Sequence, residues 1–390
     1  MTELPFDEER AVERLMRLLS VPGSTGEEGP MRDFLVEELV RLGVPRAAIR
    51  EDDAPTRIDL PCESGNLVVL LPGTVEGPRR LFSAHMDTVP LATGTRPVRR
   101  GERIVSAERT ALGGDDRTGV GAILAALDEI LRHGHPYPPL ALVFTVREES
   151  GVRGARALRP EDLGGAALGF NLDGRDPAAV TTGAIGKTFI DIEVQGIAAH
   201  AGMAPERGVS AVTLFAAAAE RLERDGWLGA VERAEGRGTS NIGAVDGGDA
   251  TNVVTDRLVA RAEARSHDSG FLRRIVAAYQ EAFRDAAAAR ANTEGRTGQV
   301  DVRVTEAYDA YGLGADEPVV QAAAAGVRRL GLTPQLGVSD GGTDANWLVR
   351  HGVPSVSLGC GAHHAHTVDE YVSVPEYVTA CRLVLELARS

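Results

Sequence analysis

Short apolar runs alternate with amphipathic segments in the first part of this 390-residue chain. Buried strands are predicted at 66–71, 80–84, 140–146 and 167–172, where most positions are apolar. Apolar residues three and four positions apart predict a helix over 120–131. Strands that alternate with helices are typical of α/β proteins with a parallel sheet. We therefore predict an α/β domain with a mostly parallel central sheet flanked by helices.

The pattern changes near Gly183. Beyond it, three segments alternate apolar and polar positions, as strands do when one face is exposed to solvent. These segments are 188–194, 259–266 and 300–305. Amphipathic stretches between them predict helices over 209–224 and 271–289. This composition indicates a separate α+β unit inserted into the first domain.

The first pattern returns after the inserted unit, with a predicted helix over 319–330 and a buried strand over 353–358. We therefore expect the α/β domain to consist of residues 1–182 and 307–390. The inserted α+β unit is expected to span residues 183–306.

Charge and cysteine content exclude several classes of protein. The chain has 56 acidic and 42 basic residues, a net charge of −14, so nucleic acid is not an expected partner. No apolar run reaches the roughly 18–20 residues that cross a bilayer, and we expect no membrane association. The acidic first ten residues lack the order of a signal peptide. Three cysteines are too few for a disulfide framework, which favours a reducing, cytoplasmic location.

A histidine and an aspartate end the second predicted strand, in the segment Ser83-Ala-His85-Met-Asp87. Side chains two positions apart at a strand end point the same way. Asp87 can therefore orient the ring of His85 while the other ring nitrogen binds a metal. The alternative is a buried core histidine beside a capping aspartate.

Further carboxylates follow other predicted strands or begin the predicted helix. Glu148 and Glu149 come directly after a buried strand, where carboxylates are costly unless a cation or a donor satisfies them. Adjacent side chains diverge, so one can bind a metal and the other can act as a general base. Asp173 also follows an apolar strand, and Asp115 with Asp116 begins the helix. A solvated turn and an N-cap are the alternatives for these groups.

Histidines supply the remaining candidate ligands. Three of them, His363, His364 and His366, follow the last predicted strand, and only some can reach one point. His200 lies among small residues in the inserted unit. Ligands of open α/β sheets bind beyond the carboxyl ends of the strands, where most of these segments lie. Two histidines with three or more carboxylates suit two divalent metals about 3.5–4 Å apart.

The motifs together resemble the co-catalytic dinuclear zinc exopeptidases typified by peptidase T, whose relatives include glutamate carboxypeptidases and N-acyl amino acid deacylases. The resemblance covers nearly the whole chain. The motifs that carry it are His85-Met-Asp87-Thr-Val-Pro90, Gly114-Asp115-Asp116-Arg-Thr-Gly119, Glu148-Glu149-Ser-Gly151, Leu172-Asp173-Gly174, His200-Ala-Gly202, Asn252-Val-Val254, Arg265-Ser-His-Asp268 and His366-Thr-Val-Asp-Glu370.

This resemblance implies a role for each residue. His85 and Asp173 would bind one metal, Glu149 and His366 the other, and Asp115 would bridge them. Asp87 would orient His85, and Glu148 would be the general base that activates a water. Asp116 would be an N-cap or a supporting residue, and His363 and His364 would be loop residues. Zinc is the expected metal, with cobalt or manganese as alternatives.

The resemblance also implies that the inserted unit is a lid or dimerisation domain. It would form a homodimer in which His200 reaches the partner's active site, while Asn252 and Arg265 hold the polar ends of the substrate. A surface histidine and a salt-bridged strand arginine are the alternatives. One departure is Arg117, because the family often has lysine after the aspartate pair. Since Lys187 is the only lysine here, we attribute this difference to composition.

The expected activity is hydrolysis of short peptides, with a tripeptide aminopeptidase preferred because Asp173 stands where a glutamate is typical of the carboxypeptidases. A carboxypeptidase or an N-acyl amino acid deacylase is the alternative within the family. A catalytically inactive metal-binding scaffold is an alternative of a different class. A two-metal phosphatase is disfavoured, because only Arg117 and Arg147 lie near the strand-end motifs.

Overall fold

The computed structural model describes residues 6–389, so the first five residues of the acidic N-terminal segment lie outside the described part. The chain divides into two compact units. The first contains the described residues up to Ala184 together with those from Gly312 onwards, and the second is Ile185–Tyr311.

The helices of the described residues, in chain order, are α1 (Glu8–Leu19), α2 (Gly29–Arg41), α3 (Gly114–His133), α4 (Arg153–Ala157), α5 (Ala211–Arg224), α6 (Ser269–Ala288), α7 (Pro318–Arg329), α8 (Asp344–Arg350) and α9 (Val374–Arg389). The strands are β1 (Ile49–Glu51), β2 (Leu67–Leu71), β3 (Arg80–His85), β4 (Pro97–Arg100), β5 (Arg103–Ser106), β6 (Leu140–Thr145), β7 (Leu168–Asn171), β8 (Ala179–Ala184), β9 (Gly186–Gln195), β10 (Gly229–Arg233), β11 (Gly236–Gly247), β12 (Arg257–Ser266), β13 (Gln299–Tyr308), β14 (Tyr311–Gly312), β15 (Gln335–Ser339), β16 (Ser355–Leu358), β17 (Ala362–His363) and β18 (Tyr371–Ser373).

The main sheet of the first unit has the strand order β1-β2-β6-β3-β7-β16-β8, and β15 pairs with β8. Its central strands β6, β3, β7 and β16 are parallel, whereas β1 and β2 extend one side antiparallel. Helices α1, α3 and α9 supply much of the apolar core that packs with these strands. The predicted α/β fold class with a mostly parallel sheet is confirmed.

A smaller sheet in the same unit has the order β17-β18-β5-β4. Its antiparallel strands β17 and β18 are joined by the loop 364–370. This loop contains His364 and His366, two of the three histidines of the sequence motif.

The second unit contains one sheet of the order β10-β11-β12-β9-β13, and the pairings within it are antiparallel. Along β9, the buried Ile190, Ile192 and Val194 alternate with partly exposed residues, as the sequence pattern predicts. Residues of α5 and α6 complete one core with them. An α+β unit is therefore inserted in the chain of the first unit.

Cys62, Cys360 and Cys381 are free thiols, in agreement with the expectation that they form no disulfide framework. None of the helices within residues 6–389 combines the length and the apolar character that a membrane-spanning segment requires.

Candidate metal centre

Three adjacent parallel strands bring the first candidate residues to one edge of the main sheet. His85 is the last residue of β3, which lies between β6 and β7. Glu148 and Glu149 follow the end of β6, and Asp173 follows the end of β7. Because the carboxyl ends of parallel strands meet at one edge, the strand order itself gathers these side chains.

Asp87 connects the ring of His85 with the backbone of the glutamate pair. Nδ1 of His85 lies 2.9 Å from the backbone oxygen of Asp87 and 3.4 Å from its Oδ1. The Asp87 carboxylate also accepts the backbone N–H groups of Glu148 at 2.9 Å and Glu149 at 3.2 Å. Asp87 is fully buried, so these contacts fix the orientation of the imidazole and direct its Nε2 away from Asp87.

The carboxylate of Asp115 lies between two histidines. Its Oδ1 is 3.2 Å from Nε2 of His85, and its Oδ2 is 3.4 Å from Nε2 of His366. Each oxygen therefore faces a different imidazole. A carboxylate arranged in this way can bind one metal with each oxygen.

Glu149 contacts the second of these two histidines. Its Oε1 lies 2.9 Å from Nε2 of His366. One ligand atom each from His85, Asp115 and Glu149 lie within 4.8 Å of one another, the spacing of a metal site. His366 adopts a φ of 65°, a backbone conformation that costs roughly 1–3 kcal/mol in a residue other than glycine. Such strain is common where a loop must present a functional side chain.

The charges of these groups are strongly linked. Hydrogen bonds with Asp115 and Glu149 raise the pKa of His366 to about 10. Burial alone would raise the pKa of Asp115, but its contacts with His366 and His85 hold it below the ordinary value. Burial, together with the charge of Asp115, raises the pKa of Asp173 to about 7. Carboxylates in excess of the two imidazoles create a site that favours cations.

Burial also raises the pKa of Glu148 well above its ordinary value, and the charges of Asp173, Asp344 and Glu149 add to this shift. A carboxyl group with a raised pKa holds a proton more readily and is suited to accept and return one. Glu149, in contrast, contacts Nε2 of His366 with its side chain.

The donor set suits two divalent ions. Nε2 of His85 contacts one oxygen of Asp115, and Nε2 of His366 contacts the other oxygen of Asp115 and Oε1 of Glu149. Mixed imidazole and carboxylate ligands are typical of zinc, cobalt and manganese sites. Asp173 follows the end of β7, and its charge interacts with those of Asp115 and His85.

Two buried carboxylates support the start of α3, which carries Asp115. Asp116 accepts the backbone N–H of Gly119 at 3.0 Å and that of His85 at 3.2 Å, so it acts as a cap and connects the start of α3 with β3. Glu370 accepts the N–H groups of Leu112 and Asp115 at 2.7 and 3.1 Å. Glu370 lies at the end of the His366 loop and thereby connects this loop with the start of α3.

The other two histidines of the motif have different surroundings. The His363 ring stacks on Tyr371, with centroids 4.8 Å apart, and its Nε2 contacts the carboxylate of Glu376. His364 packs against the same tyrosine at 5.8 Å. Both residues therefore contribute to the base of the His366 loop.

Sequence reasoning missed Asp344. This carboxylate is 1% exposed, and it accepts a hydrogen bond from the hydroxyl of Thr145 at the end of β6. Its charge is close enough to act on His85 and Asp87. A signal was available, because the segment Gly341-Gly-Thr-Asp344 before a helix repeats the glycine-then-aspartate pattern of Gly113-Gly-Asp115.

The three predicted substrate-binding residues all lie in the second unit. His200 and Asn252 are adjacent and exposed, since the N–H of Ala201 donates to the Asn252 carbonyl at 2.9 Å. Arg265 lies on β12, where its Nε donates to Glu263 at 2.8 Å. Glu263 also pairs with Lys187 at 2.7 Å. Arg265 is thus salt-bridged, as the alternative interpretation anticipated.

Residues 81–390 match the family described as peptidase family M20/M25/M40. The chain belongs to this family. It is also similar to the uncharacterized protein YqjE of Bacillus subtilis, with 30% identity over 383 residues and 98% of each chain covered. Among solved structures, it is similar to the aminopeptidase PepT of Bacillus cereus, with a TM-score of 0.86 and 33% identity. A tripeptidase of Staphylococcus aureus gives a TM-score of 0.87 and 32% identity, and both structures are covered over 98% of each chain.

Membership of peptidase family M20/M25/M40 makes this chain a metallopeptidase, a hydrolase that acts on peptides. The resemblance to the peptidase T group of exopeptidases is confirmed by the two structural neighbours, which extend over nearly the whole chain.

Proposed function

We propose that this M20 peptidase is a tripeptide aminopeptidase that uses two zinc ions. The observation that carries the proposal is the position of Asp115, whose two oxygens face Nε2 of His85 and Nε2 of His366 separately. His85 and Asp173 would hold one ion, and Glu149 and His366 the other. When bound, the ions supply Lewis acidity that polarises the scissile carbonyl and lowers the pKa of a water.

Glu148 is the proposed general base. Its backbone N–H is fixed on Asp87 at 2.9 Å, so its position is tied to that of His85. Burial in an acidic environment raises its pKa, which favours acceptance of a proton from the attacking water. The same carboxyl group then returns the proton to the leaving amine. Glu149 contacts His366 and is proposed to bind a metal. It cannot then also accept the proton, so Glu148 is the proposed general base.

The preference for an aminopeptidase rests on two supports. The two structural neighbours named above, at 33% and 32% identity, are described as an aminopeptidase and as a tripeptidase, respectively. The resemblance implies that an aspartate at position 173 is typical of the peptidase T group, whereas a glutamate at this position is typical of the carboxypeptidases. A carboxypeptidase and an N-acyl amino acid deacylase remain the alternatives that an experiment must separate.

Digestion of three matched tripeptides tests this assignment. We expect the enzyme to release the N-terminal residue from a free tripeptide and to leave its N-acetylated form intact, since an aminopeptidase requires a free amine. The C-amidated form should still lose its N-terminal residue. Mass spectrometry of the products over time identifies the released end. Release of the C-terminal residue, or removal of the acetyl group, would overturn the assignment.

His200 is proposed to donate a hydrogen bond to the oxyanion that forms during hydrolysis. Its Nδ1 accepts the N–H groups of Gly202 and Met203, both at 3.1 Å. A neutral imidazole that accepts at Nδ1 carries its proton on Nε2, so the exposed nitrogen of His200 is a donor. One oxyanion donor is worth about 2.7–4 kcal/mol. We propose that it acts on the partner subunit of a homodimer, with Asn252 and Arg265 holding the ends of the peptide.

Mixing two inactive variants tests the action of His200 on a partner. His200→Ala and Glu148→Gln chains should each be inactive alone. In a mixed dimer, the His200→Ala chain keeps Glu148 and receives His200 from its partner, so that site is complete. After random exchange of equal amounts, half of the dimers are mixed and about a quarter of the parental activity should return.

The matched control replaces the Glu148→Gln chain by the double variant Glu148→Gln/His200→Ala, which should restore nothing. Subunit exchange is verified by mass spectrometry of differently labelled chains. If the subunits exchange completely and no activity returns, His200 acts only within its own chain or is a surface residue without a catalytic role.

A further inference from the structure

The turn that follows β6 carries both the proposed base Glu148 and the proposed ligand Glu149. Three consecutive backbone N–H groups of this turn donate to buried carboxylates. Those of Glu148 and Glu149 donate to Asp87, whereas that of Arg147 donates to Oε1 of Glu28 at 3.1 Å. Glu28 is fully buried, as Asp87 is, although it lies far from Arg147 along the chain. Two buried carboxylates thus hold the backbone that carries the base.

A role within α2 does not explain the burial of Glu28. This residue is the N-cap of α2, but its side chain makes no capping hydrogen bond to the helix within the described residues. Its Oε1 instead accepts the N–H of Gly26 at 2.7 Å in addition to that of Arg147. One oxygen therefore connects the segment before α2 with the turn after β6.

Arg147 has a φ of 51°, in the left-handed region that residues other than glycine seldom adopt. Such a conformation persists only where several contacts hold it. The side chain of Arg147 supplies two, because Nε donates to the carbonyl of Pro61 at 2.8 Å and Nη1 to the hydroxyl of Ser150 at 3.2 Å. The hydrogen bond to Glu28 holds the backbone itself. Because the φ of Arg147 sets the direction of the chain that follows, this contact influences the position of Glu148.

The segment before α2 is itself fixed near the end of β3. The N–H of Thr25 donates to the carbonyl of Thr88 at 3.0 Å, and the N–H of Thr88 donates to the carbonyl of Gly23 at 3.0 Å. Thr88 directly follows Asp87. The two acceptors of the turn, Glu28 and Asp87, are therefore held relative to each other by backbone hydrogen bonds.

We propose that Glu28 is a positioning residue for peptide hydrolysis, which holds the turn 147–149 through the N–H of Arg147 and thereby places the carboxyl group of Glu148. This inference rests on the proposed role of Glu148 as general base. The role requires a hydrogen-bond acceptor at the right distance and does not require its charge. The alternative is a counter-ion for the buried Arg117, because the charge of Glu28 acts on that guanidinium.

Two substitutions of Glu28 separate the hydrogen bond from the charge. Glu28→Gln keeps the length of the side chain and an oxygen acceptor, so kcat should stay within about 3-fold of the parental value. Glu28→Asp keeps the charge but is one methylene shorter. Its carboxylate withdraws from the N–H of Arg147, so kcat should fall at least ~10-fold with little change in KM. Steady-state kinetics with a tripeptide measure both constants, and elemental analysis should find parental metal content in each variant.

The opposite order, an active Glu28→Asp and an impaired Glu28→Gln, would assign Glu28 to Arg117 and overturn the inference. Equal losses in the two variants would overturn it as well. If Glu28→Asp does not fold, Glu28→Met takes its place, because methionine has a similar length and offers no oxygen to the N–H of Arg147.

Glu38→Asp is the matched control for a disturbance of α2. Glu38 is a second buried carboxylate of this region, and it accepts hydrogen bonds from Arg14 at 3.0 Å and Arg17 at 2.9 Å. Its shortening should lower the melting temperature and leave kcat unchanged at temperatures where the variant is folded. A fall of kcat equal to that of Glu28→Asp would mean that any disturbance of α2 lowers activity, and the inference would be wrong.

A double variant tests whether Glu28 acts through Glu148. In the Glu148→Gln background, Glu28→Asp should change the residual turnover by less than about 3-fold, because the side chain that it positions no longer moves a proton. A further loss of ~10-fold in this background, or loss of metal from Glu28→Asp, would overturn the inference. Parental turnover in Glu148→Gln alone would overturn the proposed base and this inference together. The expected loss in Glu148→Gln, combined with full activity of Glu28→Asp, would overturn this inference alone.

Discussion

Replacement of Glu148 by glutamine is expected to lower turnover by at least ~10²-fold while the metal content stays unchanged. The substitution keeps the size of the side chain and its backbone contact with Asp87, but the amide cannot accept the proton of the attacking water. The loss should appear in kcat, because the proton moves only after the substrate is bound. Steady-state kinetics with a tripeptide, together with elemental analysis, measures both quantities.

The adjacent Glu149 provides the matched comparison. Glu149 contacts His366 and is proposed to bind a metal, so Glu149→Gln should lose both metal and activity. Turnover near the parental value in Glu148→Gln, with Glu149→Gln also keeping its metal, would contradict the division of roles between the two glutamates.

Removal of the metals is expected to lower the melting temperature of the parent protein by several degrees. An ion that binds only the folded state stabilises it by about 2.7 kcal/mol when its concentration is 100 times the dissociation constant. The effect should be larger at higher pH, because His366, whose pKa is raised to about 10, must lose its proton before it can bind a metal. Differential scanning fluorimetry with and without a chelator measures this shift.

Two histidines of one loop supply the control for this experiment. His366→Ala should lose metal, and chelation should shift its melting temperature much less than that of the parent. His364→Ala should behave as the parent, because His364 packs against Tyr371. Equal shifts in the parent and in His366→Ala would mean that His366 is an ordinary loop residue.

The sequence was sufficient to predict the residues at the strand ends. His85, Glu149 and Asp173 each follow an apolar run, and the order β6-β3-β7 of parallel strands then brings them to one edge. Local pattern predicts such strands well, because a buried strand must be apolar along its length. His366 is far from β6 along the chain, and only the resemblance indicated that it belongs with Glu149.

Other features depend on tertiary contacts that no local pattern encodes. Strand β11, Gly236–Gly247, was not predicted, since its glycine-rich sequence lacks strand propensity and it is stabilised by pairing with β10 and β12. Asp344 was missed because its hydrogen bond with Thr145 and its charge interaction with His85 arise only when α8 packs against β7, β16 and β3. The stack of His363 on Tyr371 likewise results from the pairing of β17 with β18.

Anomalous diffraction from crystals of the zinc-loaded enzyme tests the central claim most directly. We predict two zinc peaks about 3.5–4 Å apart, one on each side of the Asp115 carboxylate. His85 and Asp173 should bind the first, and Glu149 and His366 the second. A single peak, or zinc bound elsewhere with Asp115 outside its coordination sphere, would contradict the account.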